Sequence, residues 1–205
     1  MLEAVPHWLG QLLGGIRAGH EKLAIADPAL GAFGKLDLTS FAFADGARLP
    51  ERFTADGEGV SPPLMWRDPP TGTARLALLV EDADSPTPQP LVHALVWNLA
   101  PEVCSLVESA IVPDDGNGPD VGRNSFGQEG WLPPDPPTGH GEHRYAFQLF
   151  ALDAATPDLS ANRGRSALMK SIRGHVVAAG LLVGTYSRGE PAAAGPVGAT
   201  AAATS

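Results

Sequence analysis

TGHGEHRYAFQLFAL, residues 138–152, places two histidines, an arginine and a tyrosine at the head of a run of aromatic and aliphatic residues. Such a run favours a β-strand. Successive strand side chains project to opposite faces, so His143 and Tyr145 share a face with Phe147 and Leu149, and Arg144 takes the other. Polar heads above an apolar wall point to a pocket at the mouth of the strand.

Four further runs read as strands: LDLTSFAF (36–43), RLALLVED (75–82), LVHALVWNL (91–99) and GLLVGTYSR (180–188). Most of the 20 prolines and 24 glycines fall between them. Such wide spacing predicts a mainly β protein, an antiparallel β-sandwich with Greek-key connections. SALMKSIRG (166–174) carries Leu168, Met169 and Ile172 at helical spacing and predicts one helix covering the sheet. Val5, Trp8, Leu9, Leu12, Leu13 and Ile16 recur at three and four, predicting an appended helical extension over residues 1–33 that packs on the domain or on a partner subunit. The β domain then runs 34–189, and the Ala- and Gly-rich tail 190–205 is expected to be disordered.

The 205 residues carry a formal charge of −9, which argues against nucleic acid and anionic membrane surfaces, since both attract lysine and arginine. No run approaches the ~20 apolar residues of a membrane span, so no stable insertion is expected. Cys104 is the single cysteine, which rules out an intrachain disulfide and a thiolate metal cluster; it reads as a small buried hydrophobe. The N-terminal pattern does not match a secretory signal, and the expected compartment is cytoplasmic.

Polar residues gather at strand ends. Asp82 and Asp84 close one strand on a common face, readable as solvated turn carboxylates or as part of a site. His93 lies inside an apolar strand, with Leu91, Leu95 and Trp97 expected on its face, and is either a satisfied core histidine or a ligand contact. If His93 and His143 meet beside Asp82, the carboxylate fixes one imidazole's tautomer, and the remaining N–H groups face an incoming anion. Tyr145 adds a hydroxyl or a ring wall. Three other chemistries fit less well. The pair His140 and His143 has a helical metal-ligand spacing but straddles a Gly-rich loop. Ser125 lacks the G-x-S-x-G elbow of a hydrolase. DDGNGPD (114–120) has Pro119 where a calcium loop wants an oxygen. No catalytic residue, metal or cofactor is assigned.

Five segments in order resemble the phosphatidylethanolamine-binding protein (PEBP) family, especially its bacterial Raf kinase inhibitor-like branch. They are AFADGARLPERFTADGEGVSPPLMW (42–66), VEDADSP (80–86) for the family's D-P-D-A-P, the histidine strand LVHALVWNL, GRNSFGQEGWLPPDPPTGHGEHRY (122–145) and GHVVAAGLLVGTYSR (174–188). The resemblance implies a non-enzymatic β-sandwich with a preformed pocket for a small phosphorylated or otherwise anionic ligand. It implies Asp82, His93, His143 and Tyr145 as the polar pocket residues, Asp84 supporting the acidic loop, and Trp131 and Pro137 as walls. Arg144 is expected to brace the loops through an ion pair on the opposite face. Departures include Ala83 for the usual Pro, Trp131 for a common Tyr and Asp135 where bacterial members often carry Cys. An inward-facing Asp135 would weaken anion binding. Two alternatives stand beside this reading, a regulator that inhibits a kinase or protease through surface loops and a weak hydrolase at the same pocket. A homodimer is left open.

Overall fold

The structure, a computed structural model, describes residues 18–114, 116, 119–158 and 163–188. The strand read from residues 143–152 forms as β8 (His143–Leu152), and the runs at β4 (Arg75–Asp82) and β5 (Leu91–Leu99) have the predicted bounds. With β9 (Val176–Tyr186), β1 (Gly34–Lys35) and β7 (Asp120–Val121) they make a six-stranded sheet of order β1-β9-β8-β4-β5-β7. A second sheet of three short strands has the order β2-β3-β6: β2 (Asp37–Thr39), β3 (Leu64–Arg67) and β6 (Ser105–Leu106). The fold is mainly β, but not wholly antiparallel: β1 pairs with β9 in parallel, Gly34 opposite Ala178.

The large sheet is covered on both faces, which is why its central strands read as almost continuous apolar runs. Tyr145, Phe147, Leu149 and Ala151 of β8 enter the core between the two sheets, with Leu78, Val80, Trp66 and Leu64. Phe150 and Leu152, on the other face, pack in a second core with Leu168, Met169 and Ile172 of the helix α1 (Arg165–Ile172). That helix is the one its spacing predicts. It ends at Arg173, and Gly174, at φ 75°, turns the chain into β9.

The same second core takes in Ala24 and Leu30, both about fully buried. Residues 20–30 were expected in an appended helical extension; instead they form three short 3-10 turns, His20–Lys22, Ala24–Ala26 and Pro28–Leu30. The Asp27 carboxylate accepts from Ala29 N–H, and Pro28 opens the last turn. Backbone bonds from Ala18 to Ser85 O and from Gly19 to Ala83 O tie this segment to the loop after β4. Residues 18–33 pack against one face of the sheet. The apolar stripe from Val5 to Ile16 and the tail 190–205 lie outside the described residues. Cys104, expected to be buried, is exposed on the surface, because the turn before β6 faces outward. Among the described residues no helix is long and apolar enough to cross a membrane.

Candidate functional site

Antiparallel pairing brings four strand termini to one end of the large sheet. Asp82, the last residue of β4, lies opposite Leu91 at the start of β5 and Tyr145 near the start of β8, while His143 lies opposite Tyr186 at the end of β9. The three distant segments singled out in the sequence thus meet there. They open into a cavity of about 450 Å³, whose polar floor includes Asp82, His93, His143 and Tyr145 and whose rim includes Pro86, Phe126 and Pro137.

His93 reaches that cavity through an irregularity in β5. Val80 pairs with Ala94 and Glu81 with Val92, so the register skips His93, which is the extra residue of a β-bulge. The bulge reverses the face expected from strict alternation. Leu95 and Trp97 pack in the second core, on the opposite side of the sheet from the cavity, while His93 joins Leu91 at the pocket. The imidazole is pinned by the loop beneath it: Leu132 N–H donates to the His93 carbonyl at 2.8 Å, and His93 Nδ1–H donates to the Leu132 carbonyl at 2.7 Å. A carbonyl only accepts, so the Nδ1 proton is fixed and Nε2 carries the lone pair in the neutral ring. Burial lowers the His93 pKa below its ordinary value, opposed by the nearby charge of Asp82, so the neutral ring is the ground state.

His143 is held differently. Its Nδ1–H donates to Asp82 Oδ2 at 2.7 Å, and Asp82 Oδ1 accepts from Asp84 N–H at 2.8 Å. His143 Nε2 lies 2.6 Å from Nδ1 of His140, which completes an Asp82–His143–His140 chain. His140 turns back to its neighbour because Gly139 and Gly141, at φ 80° and 91°, adopt left-handed backbone that other residues disfavour. Both nitrogens of His143 are therefore engaged within the protein. Asp82 orients one imidazole, that of His143, and a backbone carbonyl orients the other; of the N–H groups expected to face an anion, the one at His143 Nε2 is corrected, because His140 takes that nitrogen.

Four buried side-chain polar atoms have no hydrogen-bond partner among the described residues, and two of them, His93 Nε2 and Tyr145 Oη, belong to this cavity. Their rings stand edge to face, 5.0 Å between centroids. Burial raises the Tyr145 pKa well above its usual value, so the phenol keeps its proton. The site thus offers a hydroxyl donor beside a nitrogen that accepts when neutral and donates when protonated.

Of the other expected site residues, Pro137 lines the cavity. Asp84 does not: its carboxylate accepts from Arg144 Nε and Nη2, both at 2.6 Å, and from the Arg144 backbone, so it clamps the loop after β4 to β8 and leaves Asp82 to face the pocket. Arg144 is the brace expected of it. Trp131 stands behind the cavity, its ring 6.2 Å from that of His93 and stacked at 6.0 Å on Phe147, with Nε1–H donating to Phe53 O. Asp135 lines the wall and pairs with Arg188. Sequence reasoning missed Phe126 and Leu132 in the apolar lining, and it paired His140 with His143 as metal ligands where the structure has them as hydrogen-bond partners. Ser125 accepts from Val92 N–H through its hydroxyl, away from any histidine chain described here. Among the described residues no group of three acidic, histidine or cysteine side chains is arranged to hold a metal.

The sequence model of the phosphatidylethanolamine-binding proteins matches residues 39–187. A UPF0098 protein of Methanothermobacter thermautotrophicus is 38% identical over 157 residues, 75% of this chain and 100% of that one. One from Chlamydia trachomatis is 35% identical, covering 75% and 99%. Among solved structures, a phosphatidylethanolamine-binding protein homolog from Chlamydia trachomatis superposes with a TM-score of 0.68 at 34% identity over 76% of this chain and 99% of that one. YbcL of Escherichia coli, described as a member of the mammalian PEBP family, gives 0.69 at 26% identity over 75% and 99%. The match extends across both sheets and through every strand terminus that builds the cavity, so this chain belongs to the phosphatidylethanolamine-binding protein family.

Proposed function

We propose that the protein is a binding protein without chemistry of its own, taking a small phosphorylated or other anionic ligand into the cavity at the end of the large sheet. One observation carries the reading: two buried polar atoms, His93 Nε2 and Tyr145 Oη, have no hydrogen-bond partner among the described residues and lie in the same preformed cavity. Buried polar groups are normally satisfied, so an open pair in a cleft favours a ligand that completes it. An oxyacid group does so by accepting from Tyr145 and from a protonated His93 Nε2. The cost of charging a buried imidazole is offset by the anion, so binding takes up a proton. Proline residues at the rim limit the ordering needed on binding.

Titration calorimetry with inorganic phosphate at pH 6 tests this. Tyr145→Phe removes the hydroxyl and leaves the ring, and weakens phosphate about tenfold, the worth of one hydrogen bond to a charged group. Unchanged affinity in this variant, or no saturable binding to the unaltered protein, contradicts the reading.

A further inference from the structure

The head of an oxyacid is a handful of heavy atoms, and the two open polar atoms that receive it, His93 Nε2 and Tyr145 Oη, belong to adjacent rings. The cavity around them is far larger, about 450 Å³, a size that encloses a whole small organic molecule. Much of the remaining lining is carbon, from Leu91, Phe126, Leu132, Pro133, Pro136 and Pro137. Water against such walls gains no hydrogen bonds from them, so a ligand whose carbon body displaces that water is favoured over a bare inorganic anion.

Phe126 stands out within that lining. Six large hydrophobic side chains are exposed among the described residues, and of these only Phe126, 52% exposed, borders the cavity. The backbone beneath it is braced. The Asn124 side-chain carbonyl accepts from Phe126 N–H at 3.0 Å and from Gln128 N–H at 3.2 Å, Gly127 closes the turn at φ 76°, and Ser125 exchanges two hydrogen bonds with Val92 of β5. A ring held at a cavity mouth by such a turn loses little freedom when a ligand packs on it. We propose that the pocket takes an oxyacid joined directly to a compact apolar group, with aryl sulfonates and aryl phosphates as simple members of the class, and that Phe126 selects for that group. This rests on the binding function proposed above and narrows its ligand class.

Benzenesulfonate and methanesulfonate share one head group and one charge, and neither titrates near neutrality. Chemical-shift titrations at one pH measure both affinities in the unaltered protein, Phe126→Ala and Tyr145→Phe. The unaltered protein prefers benzenesulfonate about tenfold or more, the effect of burying one ring and packing it on another. Phe126→Ala lowers that ratio to about threefold or less, mainly through lost benzenesulfonate affinity. Tyr145→Phe weakens both sulfonates and keeps the ratio, because the hydroxyl meets the head group alone. Equal affinities in the unaltered protein, an unchanged ratio in Phe126→Ala, a ratio that collapses equally in Tyr145→Phe, or binding of phosphate but of neither sulfonate overturns the proposal while leaving an anion site in place. If the unaltered protein binds neither sulfonate nor phosphate, the binding reading falls with it.

Discussion

At the scale of the residue, His93 concentrates the physics of the site. It is 2% exposed, its Nδ1 proton is spent on a backbone carbonyl, and burial holds its pKa below the free imidazole value of 6.5. In the unfolded chain the same ring titrates normally. Below that value the unfolded state binds a proton that the folded state refuses, so the native state loses stability as pH falls through 6.5 towards the depressed folded pKa. Urea unfolding at pH 7.5 and 5.5, with His93→Gln as reference, measures the loss. The unaltered protein loses more stability than the variant, and equal losses contradict a depressed folded pKa. None of this was legible in LVHALVWNL, where strict alternation puts His93 with Leu95 and Trp97. The bulge that turns it into the pocket depends on which β4 residues it opposes, and that is a property of two strands.

At the scale of the element, the long central strands were legible as short apolar runs bounded by Pro- and Gly-rich turns. HRYAFQLFAL adds the aromatic residues that strands favour, and two covered faces make both it and RLALLVED apolar almost throughout. The two-residue strands β1, β6 and β7 carry no such pattern, and their pairing is imposed by neighbours. The helical stripe read in the N-terminal extension runs from Val5 to Ile16 and gives no guide to the segment 20–30, whose apolar residues serve three separate turns. What fixes it is polar. Glu81, fully buried on β4, accepts from Ala24 N–H and Gln148 Nε2 and pairs with Arg165 at the start of α1, while Arg165 also donates to Lys22 O. One carboxylate thus joins the N-terminal turns, the sheet and the helix. Arg165→Ala strands that charge and costs about 2–3 kcal/mol, below the usual value for a broken buried pair because Ala24 and Gln148 still donate. Adding Glu81→Gln recovers part of the loss. Denaturant unfolding reads both, and a single variant within about 0.5 kcal/mol of the unaltered protein, the usual scatter of surface substitutions, contradicts this role.

At the scale of the whole molecule, the two sheets and their coverings exist in a form that leaves one end of the large sheet open. β4 and β9 finish there and β5 and β8 begin there, so residues from three strands, 82, 93 and the pair 143 and 145, are adjacent in space. The sequence showed which residues these are, since each is a polar exception at a strand end. It did not show the division of labour, in which His140 and Asp82 occupy His143 while, among the described residues lining the cavity, His93 Nε2 and Tyr145 Oη are the buried polar atoms without a partner. The net charge of −9 gives no general attraction for anions, so binding depends on that local pair. Long-range 1H–15N spectra of the His93 ring, recorded near neutral pH without and with saturating methanesulfonate, observe it directly. In the free protein Nδ1 is protonated and Nε2 bare, and in the complex Nε2 gains a proton. A free ring protonated at Nε2 instead of Nδ1, or a ring unchanged when methanesulfonate is bound, contradicts it.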